Sequence, residues 1–121
     1  SEGYKNYKPD YIISFRTLDY SVDWTHAVTG KVTSPQDEWN KYKAYWQDMD
    51  CYKNLVYVNL AMPVIAQIAY VAETFYPELF EEGYADSIHQ KIVNQFMEYL
   101  GNGFDVSKDM TTIFGYEDVK H

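Results

Sequence analysis

At 121 residues the chain has room for one domain and one core, and its net charge of −8 makes it acidic. With 46% hydrophobic and 23% charged residues it is close to an average globular domain, which argues against intrinsic disorder. Arg16 is the single arginine and the lysines are scattered, so the clustered positive charge that nucleic acid or an anionic membrane surface requires is missing. No nucleic-acid partner is expected.

Residues 1–10 are polar and close on the turn signal Pro9-Asp10. YIISF at 11–15 is a short, apolar, β-branched run. It predicts a strand buried on both faces, as in a parallel sheet covered by helices. Residues 16–33 hold no sustained period and read as a long loop, a kind of segment that is often functional. Ser34-Pro35-Gln36-Asp37 is a helix start: serine as the cap, proline at the first helical position, and an acid at the third. Trp39, Tyr42 and Trp46 share one face of that helix, which is expected to end near Met49.

Lys53-Asn54 supplies a turn, and LVYVN at 55–59 predicts a second strand. Pro63 opens a helix over 63–76 that is apolar nearly all round and so is expected to be the most buried. Ala66, Ala69 and Ala72 recur every three residues along it, which permits close approach to a neighbour. Pro77 stops it. Asp86 is expected to cap a last helix over 87–100, with Tyr84, Ile88, Ile92, Phe96 and Leu100 as its apolar stripe and Gly101 and Gly103 as its end. Thr112 to Tyr116 reads as one short extended piece.

The fold class is therefore α/β: a small Rossmann-like lobe with a few-stranded, mainly parallel sheet flanked by helices. Two apolar strands joined through a helix suggest a parallel pair with a right-handed crossover. The sheet is small for the length, and further strands are expected before Ser1.

Chemistry-bearing motifs are sparse. Cys51 is the only cysteine, which excludes an internal disulfide and a Cys-rich zinc site. Asp48 and Asp50 precede it, and negative charge suppresses a thiolate. His26, His89 and His121 have no ligand spacing; they read as surface residues, His89 on the polar side of the last helix. The pairs Asp48/Asp50, Glu81/Glu82 and Glu117/Asp118 read as solvated charge. There is no G-x-S-x-G and no glycine-rich phosphate loop. No catalytic residue, metal site or cofactor is expected.

What remains is the geometry of strand ends, where open α/β sheets bind ligands. Arg16 stands just past the first strand, with Tyr20 and Trp24 in the loop after it; Asn59 to Met62 follow the second strand. A guanidinium suits planar oxygen anions. Thirteen tyrosines, with 3 Trp and 6 Phe, offer apolar area with polar tips, for a wet cleft or for packing. Two arrangements stay open: Arg16 and its aromatics hold an oxygen-rich or flat ligand, or Arg16 pairs with Asp19 or Asp23 while the aromatics pack down.

Three segments together resemble the C-terminal lobe of the helical-backbone substrate-binding proteins of ABC importers, the receptors for ferric siderophores, cobalamin and haem. EGYKNYKPDYIIS at 2–14 is similar to a Glu-started helix leading into Pro-Asp and an apolar strand. WQDMDCYKNLVYVN at 46–59 is similar to a tryptophan-bearing helix end, a Lys-Asn turn and a Val-Tyr-Val strand. IAYVAETFYPELFEEGYADSIHQKIVNQF at 68–96 resembles the helix, the Tyr-Pro-Glu-Leu-Phe break and the final helix.

The resemblance implies that residues 1–121 are one domain, the latter part of the second lobe of a two-lobed extracytoplasmic receptor. It implies capture without catalysis, a metal chelate as ligand and a membrane permease as partner. Arg16, Tyr20, Trp24, Asn59 and Met62 become ligand-binding positions, and Glu2, seven residues before Pro9, the permease-docking position. The stretch 59–62 carries no charge where the family often has an arginine. Apolar surface left by an absent lobe would also favour a homodimer of the fragment. Two other classes stay in play: a Rossmann-like subdomain of an enzyme, and a cell-surface interaction module.

Overall fold

A computed structural model describes residues 8–16, 34–100 and 103–121. Among them the chain is α/β. Strand β1 (Ile12–Arg16) lies parallel to β2 (Leu55–Asn59), and β2 lies antiparallel to β3 (Ile113–Gly115), in the order β1-β2-β3. Helix α1 (Pro35–Trp46) sits between β1 and β2 in sequence; α2 (Val64–Phe75) and α3 (Tyr84–Phe96) follow β2. None of these helices is long and apolar enough to cross a membrane.

Strand alternation splits the core in two. On one face Ile12, Leu55, Tyr57 and Phe114 meet Trp39 of α1, with Met49 and Cys51 of the turn after it. On the other, Val58 meets Met62, Ala66, Ala69 and Tyr70, with Ala85 and Val93 of α3 and Val106 of the tail. Only β2 is therefore buried along its whole length.

The start of α1 is built as the sequence predicts. Ser34 is extended, and its Oγ accepts from the Asp37 N–H at 3.1 Å, with Pro35 in the first turn. Ser34→Ala is expected to lower stability by about 1 kcal/mol, read as a shift in the urea midpoint. An unchanged midpoint would mean that Pro35 and packing hold this helix end unaided. The helix stops at Trp46 rather than near Met49, because Met49 turns into the core to pack with Cys51.

Four other expectations are corrected. β1 is half covered: Ile12 is buried, while Ile13 and Phe15 remain exposed on the opposite face. Helix α2 does hold the most buried residues of the three helices (Ala66, Gln67, Ala69 and Tyr70), as expected, but it exposes Val64, Ile65 and Ile68 despite its all-round apolar sequence. Helix α3 begins at Tyr84 after a left-handed Gly83 (φ 81°), so Asp86 lies inside its first turn and does not cap it; residues 98–100 form a separate 3-10 turn. Its buried face is Ala85, His89 and Val93, one residue round from the predicted stripe, and Phe96 is exposed. His89 is consequently core, not surface. Small Ala85 shares a cluster with Ala66 and Ala69, and close approach of two helices demands small residues there more than large ones.

Candidate functional site at the strand ends

Arg16 and Asn59 are register partners at the carboxyl ends of the parallel pair, and the Leu60 N–H donates to the Arg16 carbonyl at 2.8 Å. The Arg16 side chain turns toward α1. Its guanidinium carbon stands 3.8 Å from the centre of the Tyr42 ring, and Nε is 3.9 Å from Glu38 Oε1. The side chain keeps about 30% of its surface in solvent. Stacking on Tyr42 fixes the guanidinium plane, and the long contact to Glu38 neutralises it only in part. A planar oxygen anion at this edge would find a pre-oriented partner. Tyr57 lies beneath, fully buried; burial pushes its phenol up to about 12, so it remains protonated at neutral pH.

Asn59 is buried and committed to the fold. Its Nδ2 donates to the Thr111 carbonyl at 2.9 Å, and its Oδ1 accepts from the Ala61 N–H at 2.9 Å. The second contact is an Asx turn that shapes the loop after β2. Met62 is buried in the core beside Ala66. Gln67 of α2 closes the same loop from below, donating to the carbonyls of Leu60 and Met62. The groups that this loop shows to solvent are Leu60, half exposed, and Ala61. Arg16 and Asn59 are thus brought together, and Met62 faces away. Tyr20, Trp24 and Glu2, with Asp19 and Asp23, lie outside the described residues.

Glu38 and Tyr42 are the site residues that sequence reasoning missed. A signal existed: in a strand–helix–strand unit, the first turns of the helix return to the carboxyl end of the preceding strand. Glu38 and Tyr42 occupy those turns.

The remaining chemistry is muted. Burial first, then the nearby Asp50 and Asp10 charges, push the Cys51 thiol up, which leaves it a poor nucleophile. Among the described residues no three of His, Cys, Asp and Glu gather in a way that could hold a metal. At the opposite, amino ends of the strands lies a depression of about 520 Å³, lined by Lys8, Asp10, Asp48, Asp50 and Asn54 among others.

Set against family models, curated proteins and solved structures, the chain matches none.

Proposed function

We propose that this chain is a ligand-binding lobe, part of the C-terminal half of an extracytoplasmic ABC-importer receptor. Its ligand would be a ferric siderophore or a related metal chelate such as cobalamin or haem. The observation that carries the reading is Arg16: a guanidinium with a single long carboxylate contact, lying over an aromatic ring at the carboxyl edge of a parallel strand pair. The order of the three sequence segments supports it further. The function needs no covalent step. Ligand is held between two lobes and released to a permease, with Glu2 as the docking contact. Tyr20 and Trp24 would complete the Arg16 side of the cleft, while Asn59 and Met62 would serve by shaping the loop rather than by touching ligand.

An amide NMR titration tests this, with a ferric hydroxamate, a ferric catecholate, haem and cobalamin, and iron-free chelators as controls. Shifts confined to Arg16, the residues after it and Leu60 are expected for one ligand class. Arg16→Ala should then weaken that binding at least tenfold. Its stability should fall by no more than about 2 kcal/mol, since the long ion pair to Glu38 and the cation–π contact to Tyr42 are each worth about 1 kcal/mol. Equal loss of stability and binding would make Arg16 structural, and silence from all four classes would sink the ligand assignment.

A further inference from the structure

We propose that the open edge of β1 is a self-association surface, on which a second copy of this chain adds its own β1 antiparallel to form one continuous six-stranded sheet. The inference concerns the 121-residue chain and does not rest on the receptor reading.

Three observations carry it. The first is backbone parity. The Arg16 carbonyl accepts from Leu60, so the peptide groups of Ile12, Ser14 and Arg16 face β2. Those of Ile13 and Phe15 then point the other way, where the sheet has no further strand among the described residues. The strand itself carries no guard on this edge: between Ile12 and Phe15 there is no charge, proline or bulge. Antiparallel pairing about a two-fold axis at Ser14 satisfies all four groups. Ile13 exchanges both hydrogen bonds with the partner's Phe15, and Phe15 with the partner's Ile13.

The second observation is that the edge is grooved on both sides. A groove of about 450 Å³ runs along residues 11–16 against Trp46 of α1. Another, of about 470 Å³, lies on the opposite face between Ile13, Phe15, the α2 residues Val64 and Ile68, and Tyr76 just after the helix. An added strand sends alternate side chains to the two faces and so enters both grooves.

The third is charge and area. On a chain of net charge −8, neither groove is lined by a carboxylate among the described residues. A second, equally acidic copy can therefore approach here. Tyr11, Ile13, Phe15, Val64, Ile68 and Tyr76 are each between 38% and 68% exposed. Together these residues offer roughly 600 Å² of accessible surface per copy, most of it apolar, against the ~800 Å² per partner of a standard interface.

Light scattering on the 121-residue chain across a concentration series tests this. The expected mass is twice the 14.2 kDa of one chain. Phe15→Lys and Ile68→Lys change partly exposed positions, so each should keep its far-ultraviolet circular dichroism while weakening the dimer at least tenfold. Hydrogen exchange provides the second readout: the Ile13 and Phe15 amides should be protected in the dimer and lose protection in both variants. A monomer at every concentration overturns the proposal. So does a dimer that survives both substitutions, or one whose Ile13 and Phe15 amides exchange freely.

Discussion

Trp39→Ala is expected to cost about 3–5 kcal/mol, a large fraction of the roughly 5–15 kcal/mol that holds a small domain folded. Trp39 is 1% exposed and is the hub of the core half beneath α1. Its ring lies 5.5 Å from Tyr52, 5.7 Å from Tyr57 and 6.1 Å from Tyr116, each at a tilted or edge-on angle. Its Nε1–H donates to the Tyr52 hydroxyl at 2.9 Å. Alanine would open a cavity between strand, helix and tail together. Trp39→Phe separates the contributions: it keeps most of the packing and loses the hydrogen bond, and should cost about 1–2 kcal/mol. Urea unfolding followed by circular dichroism reads both. An alanine variant that loses less than about 1 kcal/mol would show that α1 and the tail are not part of one cooperative core.

The same cluster takes up four of the thirteen tyrosines, Tyr42, Tyr52, Tyr57 and Tyr116. Tyr57 stacks on Phe114 at 5.1 Å, Tyr52 meets Tyr116 at 5.5 Å, and His121 stacks on Tyr116 at 3.7 Å. Separate chain segments are joined by aromatic edges and faces, each contact adding about 0.5–1.5 kcal/mol beyond burial. Of the two uses of tyrosine that the composition left open, packing is the one seen at these positions.

Local chemistry was the legible part of the fold. Ser34-Pro35 marks a helix start because the cap is made within four residues. YIISF and LVYVN mark strands because a short β-branched run between turns has few other uses. Ile113–Gly115 falls inside the extended piece read at 112–116. Hydrophobicity, by contrast, says what can be buried and not what covers it. Hence β1 read as buried on both faces and α2 as the most buried helix, yet each keeps an apolar face open. The stripe on α3 held only in part, with Ile88 and Leu100 packed against the core cluster but Tyr84 and Phe96 exposed, for a related reason. Ranking by size and hydropathy favours Ile88 and Phe96 over Ala85 and His89, but contact with α2 selects small residues and one paired polar group. At the strand ends, position alone picked out Arg16. It did not show that the Asn59 amide is spent on Thr111 and Ala61, contacts reaching 52 residues along the chain.

His89 makes the protein acid-sensitive. It is fully buried on α3, with Nδ1 3.0 Å from the Tyr70 hydroxyl, and that hydroxyl donates to Asp86 Oδ1 at 2.6 Å. Tyr70 has one proton and gives it to Asp86, so its oxygen accepts from His89 and the neutral ring carries its hydrogen on Nδ1. Burial drives the histidine pKa down from 6.5 to about 4, and the Asp86 carboxylate offsets this only in part. The folded pKa lies below the unfolded one. The stabilisation is therefore complete above pH 6.5 and is lost as the pH falls toward 4, where the unfolded chain takes up a proton that the folded chain refuses. The loss through this group should reach about 3 kcal/mol, since each tenfold difference in proton affinity between the folded and unfolded chain is worth about 1.4 kcal/mol. His89→Asn places an amide donor near the Nδ1 position and removes the titration. The variant should be less stable than the parent at neutral pH, and the gap should close as the pH is lowered toward the folded pKa. Urea midpoints across that pH range decide it. A gap that stays constant would mean that the imidazole takes its proton as readily folded as unfolded, and that the Tyr70–Asp86 pair leaves it room to do so.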